Sequence, residues 1–186
     1  MADMKKYFAL FQRFALAREA VAAVEFALIL PFLLLLYLGS IEVSQLISVD
    51  QKTGAVAGSL GDLVSRTNGD LPRGTLNDYF SAVKMIMTPY PSGKLKQLVT
   101  SVYVDKAGRT KVQWSVGYNG ATAKTVNSSY KLPKEMTDIA RDAYVIVAEA
   151  QVPYKPLGGY FFKSSIQLYK QYFFITRFGE AINLVA

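Results

Sequence analysis

The chain reads as an α+β protein in which a long N-terminal helix, first transmembrane and then amphipathic, leads to an antiparallel sheet of about four strands with short helices. Three observations carry this reading. Residues 20–39, AVAAVEFALILPFLLLLYLG, form an apolar run of membrane length. Residues 40–66 follow with apolar positions spaced mostly three, four or seven apart. The second half of the chain then turns to strict alternation and β-branched runs, the patterns of strands.

Residues 1–20, MADMKKYFALFQRFALAREA, are basic, with Tyr7, Phe8, Phe11, Phe14 and Ala15 at helical spacing, and are expected to lie on a membrane surface. They are too long, and the apolar run behind them too extended, for an ordinary secretory signal, so no cleavage is expected after that run. From Val21 to Leu38 every residue except Glu25 and Pro31 is apolar or aromatic. A helix of that length rises about 27 Å, close to a bilayer's hydrocarbon core, so residues 21–39 are assigned as a single transmembrane helix. Lys5, Lys6, Arg13 and Arg18 precede it, whereas Glu42, Asp50, Lys52 and Asp62 follow it. This bias keeps the N-terminus in the cytoplasm and exports residues 67–186 as one α+β domain.

In residues 40–66, Ile41, Leu46, Val49, Val56, Leu60, Leu63 and Val64 mark one face of an amphipathic helix. Gly54, Gly58 and Gly61 each cost about 1 kcal/mol against alanine there, which calls for close approach of a neighbour, with AVAGSLG at 55–61 as the contact. After the turn NGDLPRG at 68–74, Thr75 is expected to cap a helix through about Met87, aided by Asp78, with Pro89 and Pro91 beyond it. Leu98, Thr100, Val102 and Val104 alternate onto one face, as do Val112, Trp114, Val116 and Tyr118; with DKAGR between them they predict a β-hairpin. Residues 119–132 read as a loop and Pro133–Asp142 as a short helix with proline in its first position. AYVIVAEAQVPY at 143–154 predicts a buried strand. After the linker KPLGGY, SIQLYKQYFFITR at 165–177 predicts a last strand pairing back on 143–152.

The net charge is +7, and residues 94–134 hold Lys94, Lys96, Lys106, Arg109, Lys111, Lys124, Lys131 and Lys134 against Asp105 alone. Because this surplus lies in the exported part, nucleic acid is not an expected partner. Lysines that keep strand edges solvated are the simplest reading, with anionic lipid, wall polymer or an acidic protein face as the other partners the charge suits. The chain has no cysteine and no histidine, which removes disulfides, thiol chemistry and the commonest general base and metal ligand. Asp138, Asp142 and Glu149 match no metal or acid/base spacing, and no phosphate loop or nucleophile elbow is present. Neither catalysis nor a cofactor or metal is expected. Asp138 and Asp142, with Arg141 nearby, read as a solvated face.

Glu25 is the charge that needs an explanation, since a carboxylate in an apolar helix costs a few kcal/mol, less near the interface. The four residues before it offer no partner. A cut between Ala20 and Val21 would create one: the new α-ammonium on Val21 stands one helical turn from Glu25, or meets Glu25 of a neighbouring copy, the pairing used by type IV pilins. The alternative is Glu25 snorkelling unpaired to the interface.

The string REAVAAVEFALILPFLLLLYLGSIEV resembles the N-terminal signature of TadE/TadF-like pseudopilins of the tight-adherence (Tad, or Flp) pilus system, a type IVb adhesion pilus. A basic leader, a small residue (Ala20), four mostly apolar residues (Val21 to Val24), Glu25-Phe26 and the pair Leu30-Pro31 stand in the family's order. The resemblance covers residues 15–65, and VIVAEAQVPYKPL at 145–157 is similar to the family's strand and Tyr-x-Pro segment. It departs at Ala20, where the family commonly has glycine.

The resemblance implies a non-catalytic minor pilin that is the substrate of an inner-membrane prepilin peptidase, which removes residues 1–20. Val21 and Glu25-Phe26 would then serve processing and helix pairing. The partners implied are the peptidase, the pilin, a second pseudopilin, the inner-membrane platform and membrane lipid. The length and the single helix lean toward the E-type subgroup. Pro31 frees the carbonyl of Ala27 and allows a kink, or is simply a tolerated membrane-helix proline. The competing reading is an unprocessed single-pass anchor presenting an envelope adaptor domain, with Trp114, Tyr160, Phe161, Phe162, Tyr169, Tyr172, Phe173 and Phe174 as contact rather than core residues.

Overall fold

A computed structural model of the chain describes Tyr7, residues 18–156 and residues 164–186. The rest of the expected surface-lying leader, the end of the KPLGGY linker, and Tyr160, Phe161 and Phe162 lie outside the described residues. The chain divides into two compact units, one ending at Ser44 and the other covering Gln45–Ala186. Helix α1, Arg18–Ser65, provides the described backbone of the first unit from residue 18 and the opening element of the second.

In the second unit a four-stranded antiparallel sheet runs in the order β3-β2-β4-β5, with β2 Lys96–Val104, β3 Thr110–Tyr118, β4 Ala143–Tyr154 and β5 Ile166–Ile175. The expected hairpin forms. Asp105 accepts the backbone N–H groups of Ala107 (2.9 Å) and Arg109 (2.8 Å), and Gly108 takes the left-handed conformation at φ +83°. The strand at 165–177 pairs with β4 from Val145↔Ile175 to Tyr154↔Ile166.

The sheet is covered on both faces, which is why its two central strands read as nearly continuous apolar runs. On one face α1 contributes Val49, Val56, Ala57, Leu60 and Val64, and helix α2, Arg73–Lys84, contributes Leu76, Phe80 and Val83, all packed with Val99, Trp114, Ile146 and Ala148. On the other, Val102, Val104, Val145 and Val147 pack with Leu132 and Ala140 of the segment around helix α3, Lys134–Ile139. Trp114 is a core residue: its indole N–H donates to the carbonyl of Ile182 at 2.6 Å.

Several local expectations are corrected. Val112 does not share a face with Trp114, because a bulge shifts the register: Trp114 pairs with Ser101 but Val112 with Val102, neighbours that point to opposite faces. Helix α2 is not capped by Thr75. It starts two residues earlier, after Pro72, which makes no side-chain cap, and no acidic residue occupies its first turn, so Asp78 has no such role. The reason is tertiary. Asp70–Pro72 forms a short strand, β1, paired in parallel with β6, Asn183–Val185, so the chain enters the helix directly from a strand. By the same pairing, β5 is not the last strand. Pro133 is the N-cap of α3 rather than its first residue, and α3 ends at Ile139, with Asp142 in the left-handed region at φ +59°.

The helix glycines divide. A Cβ on Gly61 would overlap the ring of Phe174 and lie 3.0 Å from Ala148 Cβ, and one on Gly54 would lie 3.2 Å from the Tyr172 hydroxyl. Gly58 has nothing within 4 Å of its Cβ position, so the expected contact at that residue is absent.

The end of α1 is tied to the chain after β5 by charge. Asp62 accepts Arg66 at 2.6 Å and Arg177 at 3.0 Å, and the Arg177 N–H donates to Ser65 O. The hydrogen bond and charge of Arg66, then those of Arg177, hold the Asp62 carboxyl below the usual aspartate range. A depressed folded pKa stabilises the fold above the unfolded value, about 3.9, and that contribution disappears as pH falls through the lower folded value. The acid limb of a thermal-stability profile is therefore expected below about pH 4, and Asp62→Asn should flatten it. An unchanged acid limb in that variant would rule out this linkage.

Candidate membrane-anchoring and assembly site

The residues singled out at the N-terminus all lie on α1. Val21, Glu25 and Phe26 are exposed, as is every residue from Val21 to Tyr37, and Phe32 is 71% exposed. The most apolar 18-residue window has a mean hydropathy of 2.5 and buries nothing. A sleeve of exposed Leu, Ile, Val and Phe is untenable in water over this length, whereas in lipid it is the required surface, with the backbone groups paired inside the helix apart from the Ala27 carbonyl, for which Pro31 has no N–H.

Val21 and Glu25 stand four residues apart, the spacing of neighbours on one helix face. Pro31 lies inside α1, which continues past it in both directions. The bond between Ala20 and Val21 falls in the first described turn of α1.

The carboxylates considered for chemistry do not converge. Asp138 pairs with Arg141 at 2.9 Å, while Asp142 accepts the Tyr103 hydroxyl at 2.7 Å and faces Lys106 at 3.6 Å. Glu149, nearly buried on β4, accepts the hydroxyls of Tyr130 at 2.9 Å and Tyr169 at 2.8 Å, and Gln171 donates to Tyr130 at 2.7 Å. Burial, and then the adjacent Glu149, push both phenols above their ordinary range, so they stay protonated as donors. This is a closed structural network. Among the described residues no group of three Asp, Glu, His or Cys is placed to hold a metal.

The eight basic residues of 94–134 are all exposed, and Arg109 is engaged by Asp105 at 2.7 Å. Of the aromatic set, Tyr169 and Tyr172 are partly exposed, while Phe173 and Phe174 pack against the two cores. One feature had no signal in any single motif: an apolar trough lined in part by Val49, Tyr90, Val152 and Tyr154, whose residues come together only in the folded domain.

Among the described residues one exposed apolar helix is followed by an α+β domain, the arrangement of a single-pass, membrane-anchored protein. Within it, residues 20–58 match the family model described as TadE-like protein, so the resemblance seen in the motif holds for that segment and relates the chain to the Tad pilus system. No curated protein and no solved structure matches the chain.

Proposed function

We propose that this protein is a non-catalytic minor pilin of TadE type, anchored in the bacterial inner membrane with its N-terminus in the cytoplasm and its α+β domain exported. A prepilin peptidase cuts it between Ala20 and Val21. The observation that supports this most is the placement of Glu25, a lone carboxylate in a fully exposed apolar helix, one turn after Val21 and inside the TadE-like match.

The physical logic is a pairing of charges made by the cut. Cleavage turns Val21 into a helix N-terminus, where the positive end of the helix dipole disfavours the new ammonium and favours a carboxylate nearby. Glu25 compensates both, within its own chain or toward a neighbouring helix. Phe26 and the Leu-rich sleeve pack in lipid or beside pilin helices, and the exported domain meets the pilin, a second pseudopilin and the inner-membrane platform. Because Ala20 stands where glycine is common in the family, the peptidase pocket beside the scissile bond must accept one methyl group.

The test is the N-terminal sequence of protein recovered from membranes of cells that contain the peptidase. Mature chains should begin at Val21, and Ala20→Phe should leave only full-length chains. Chains that keep residues 1–20 despite an active peptidase would favour an unprocessed envelope adaptor.

A further inference from the structure

The trough in the unit Gln45–Ala186 has a volume of about 580 Å³, within the range of about 300–1,000 Å³ that small ligands occupy. Its apolar lining includes Val49, Tyr90, Pro91, Val152 and Tyr154, with Gln45, Lys94 and Lys155 among its polar residues. A second depression of about 420 Å³ shares Gly93, Lys94 and Pro153 with it and adds Lys96, Asn119, Gln151 and Gln167. No carboxylate lines either one. Lys94, Lys96 and Lys155 are exposed, and among the described residues none of them enters an ion pair.

An apolar trough joined to a cationic basin has the chemistry of a site for an amphiphilic anion. The chain also limits where it stands. Gln45 comes six residues after Gly39, so even a fully extended link keeps this lining residue within about 20 Å of the end of the apolar run. That reach includes the headgroup layer, where tyrosine rings and lysines are favoured.

We propose that trough and basin together bind one anionic phospholipid from the membrane that anchors the protein. An acyl chain lies against Val49, Tyr90 and Val152, and the phosphate is held by Lys94, which lines both depressions, with Lys96 and Lys155 beside it. The inference rests on the single-pass anchoring of residues 21–39. It gives the basic stretch after residue 94 a specific task beyond solubility and seats the exported domain on the bilayer.

The full chain, reconstituted in phosphatidylcholine vesicles containing phosphatidylglycerol with a diazirine in its acyl chain, is irradiated and the labelled peptides are mapped by mass spectrometry. Label is expected within residues 21–39 and, separately, on peptides carrying Tyr90, Val152 or Tyr154. The second set should fall about fivefold for each of Lys94→Gln and Lys155→Gln, and should be weak when the diazirine is on phosphatidylcholine. Circular dichroism confirms that the variants are folded. Label within 21–39 but none in the trough, the result if another part of the chain or a second copy fills it, would overturn this inference alone. Trough label that is indifferent to headgroup and to both lysines would overturn the anionic assignment. No label within 21–39 would remove the anchoring reading and this one with it.

Discussion

Cells whose only copy carries Glu25→Ala are expected to insert the protein normally and to make no pili. Removing a carboxylate from an apolar helix lowers the insertion cost by about 3 kcal/mol if it sits at the bilayer centre and by less near the interface, so membrane flotation should be unchanged or improved. With the proposed cut made, what disappears is the acceptor for the Val21 ammonium. That ammonium would be left at the positive end of a helix dipole with no counter-charge, and a neighbouring helix would lose the one polar feature that sets its register along an otherwise uniform Leu-rich surface. Glu25→Gln should behave like alanine, since it keeps the size and polarity of the side chain but not its charge. Electron microscopy counts the pili, and N-terminal sequencing of the variant separates failed processing from failed assembly. Normal pili in Glu25→Ala cells would show that Glu25 has no role in assembly.

Gly61→Leu is expected to destabilise the α+β domain by about 3 kcal/mol. Even a Cβ at this position overlaps the Phe174 ring and presses on Ala148 at 3.0 Å, and a leucine must displace α1 from the sheet at the centre of its larger core. Gly58→Ala, one turn earlier, is the counter-experiment. Its Cβ position is open, so the gain in helix propensity, up to about 1 kcal/mol, should raise the midpoint of unfolding. Thermal unfolding of the full chain in detergent reads both. Equal effects at the two glycines would contradict the packing described here.

These two glycines show where sequence reasoning ends. The repeat of glycines in 54–61 signalled a close approach, but local composition could not say which residue faces the sheet, because that depends on the register of α1 against β4 and β5. The same limit explains Val112. Alternation placed it with Trp114, yet one unpaired residue in β3 moved it to the opposite face, and a bulge leaves no mark in a pattern of period two. The strands β1 and β6 were missed for a related reason: three residues each, 113 positions apart at Asp70 and Asn183, carry too little periodicity to be read.

The site was legible to a different degree. Glu25 stood out because lipid is an unforgiving solvent, so one charge in an apolar run is visible in the sequence without any tertiary information. Its helical spacing from Val21 follows from the helix alone. The lysines beyond residue 94 were visible as a surplus of charge but not as a site, since the apolar residues they border arrive from α1, the segment after α2, and β4.

The amino-acid sequence by itself determined the apolar helix, the odd carboxylate within it, the TadE-like segment and the places of the four main strands along the chain, because each depends on local periodicity and on transfer from water to lipid or core. Only the tertiary structure decided which faces those strands present, which glycine is indispensable, how the chain's end closes onto residues 70–72, and that an apolar trough opens beside Lys94. Those properties depend on contacts between segments far apart in the chain, whose geometry is set by packing rather than by any neighbour in sequence.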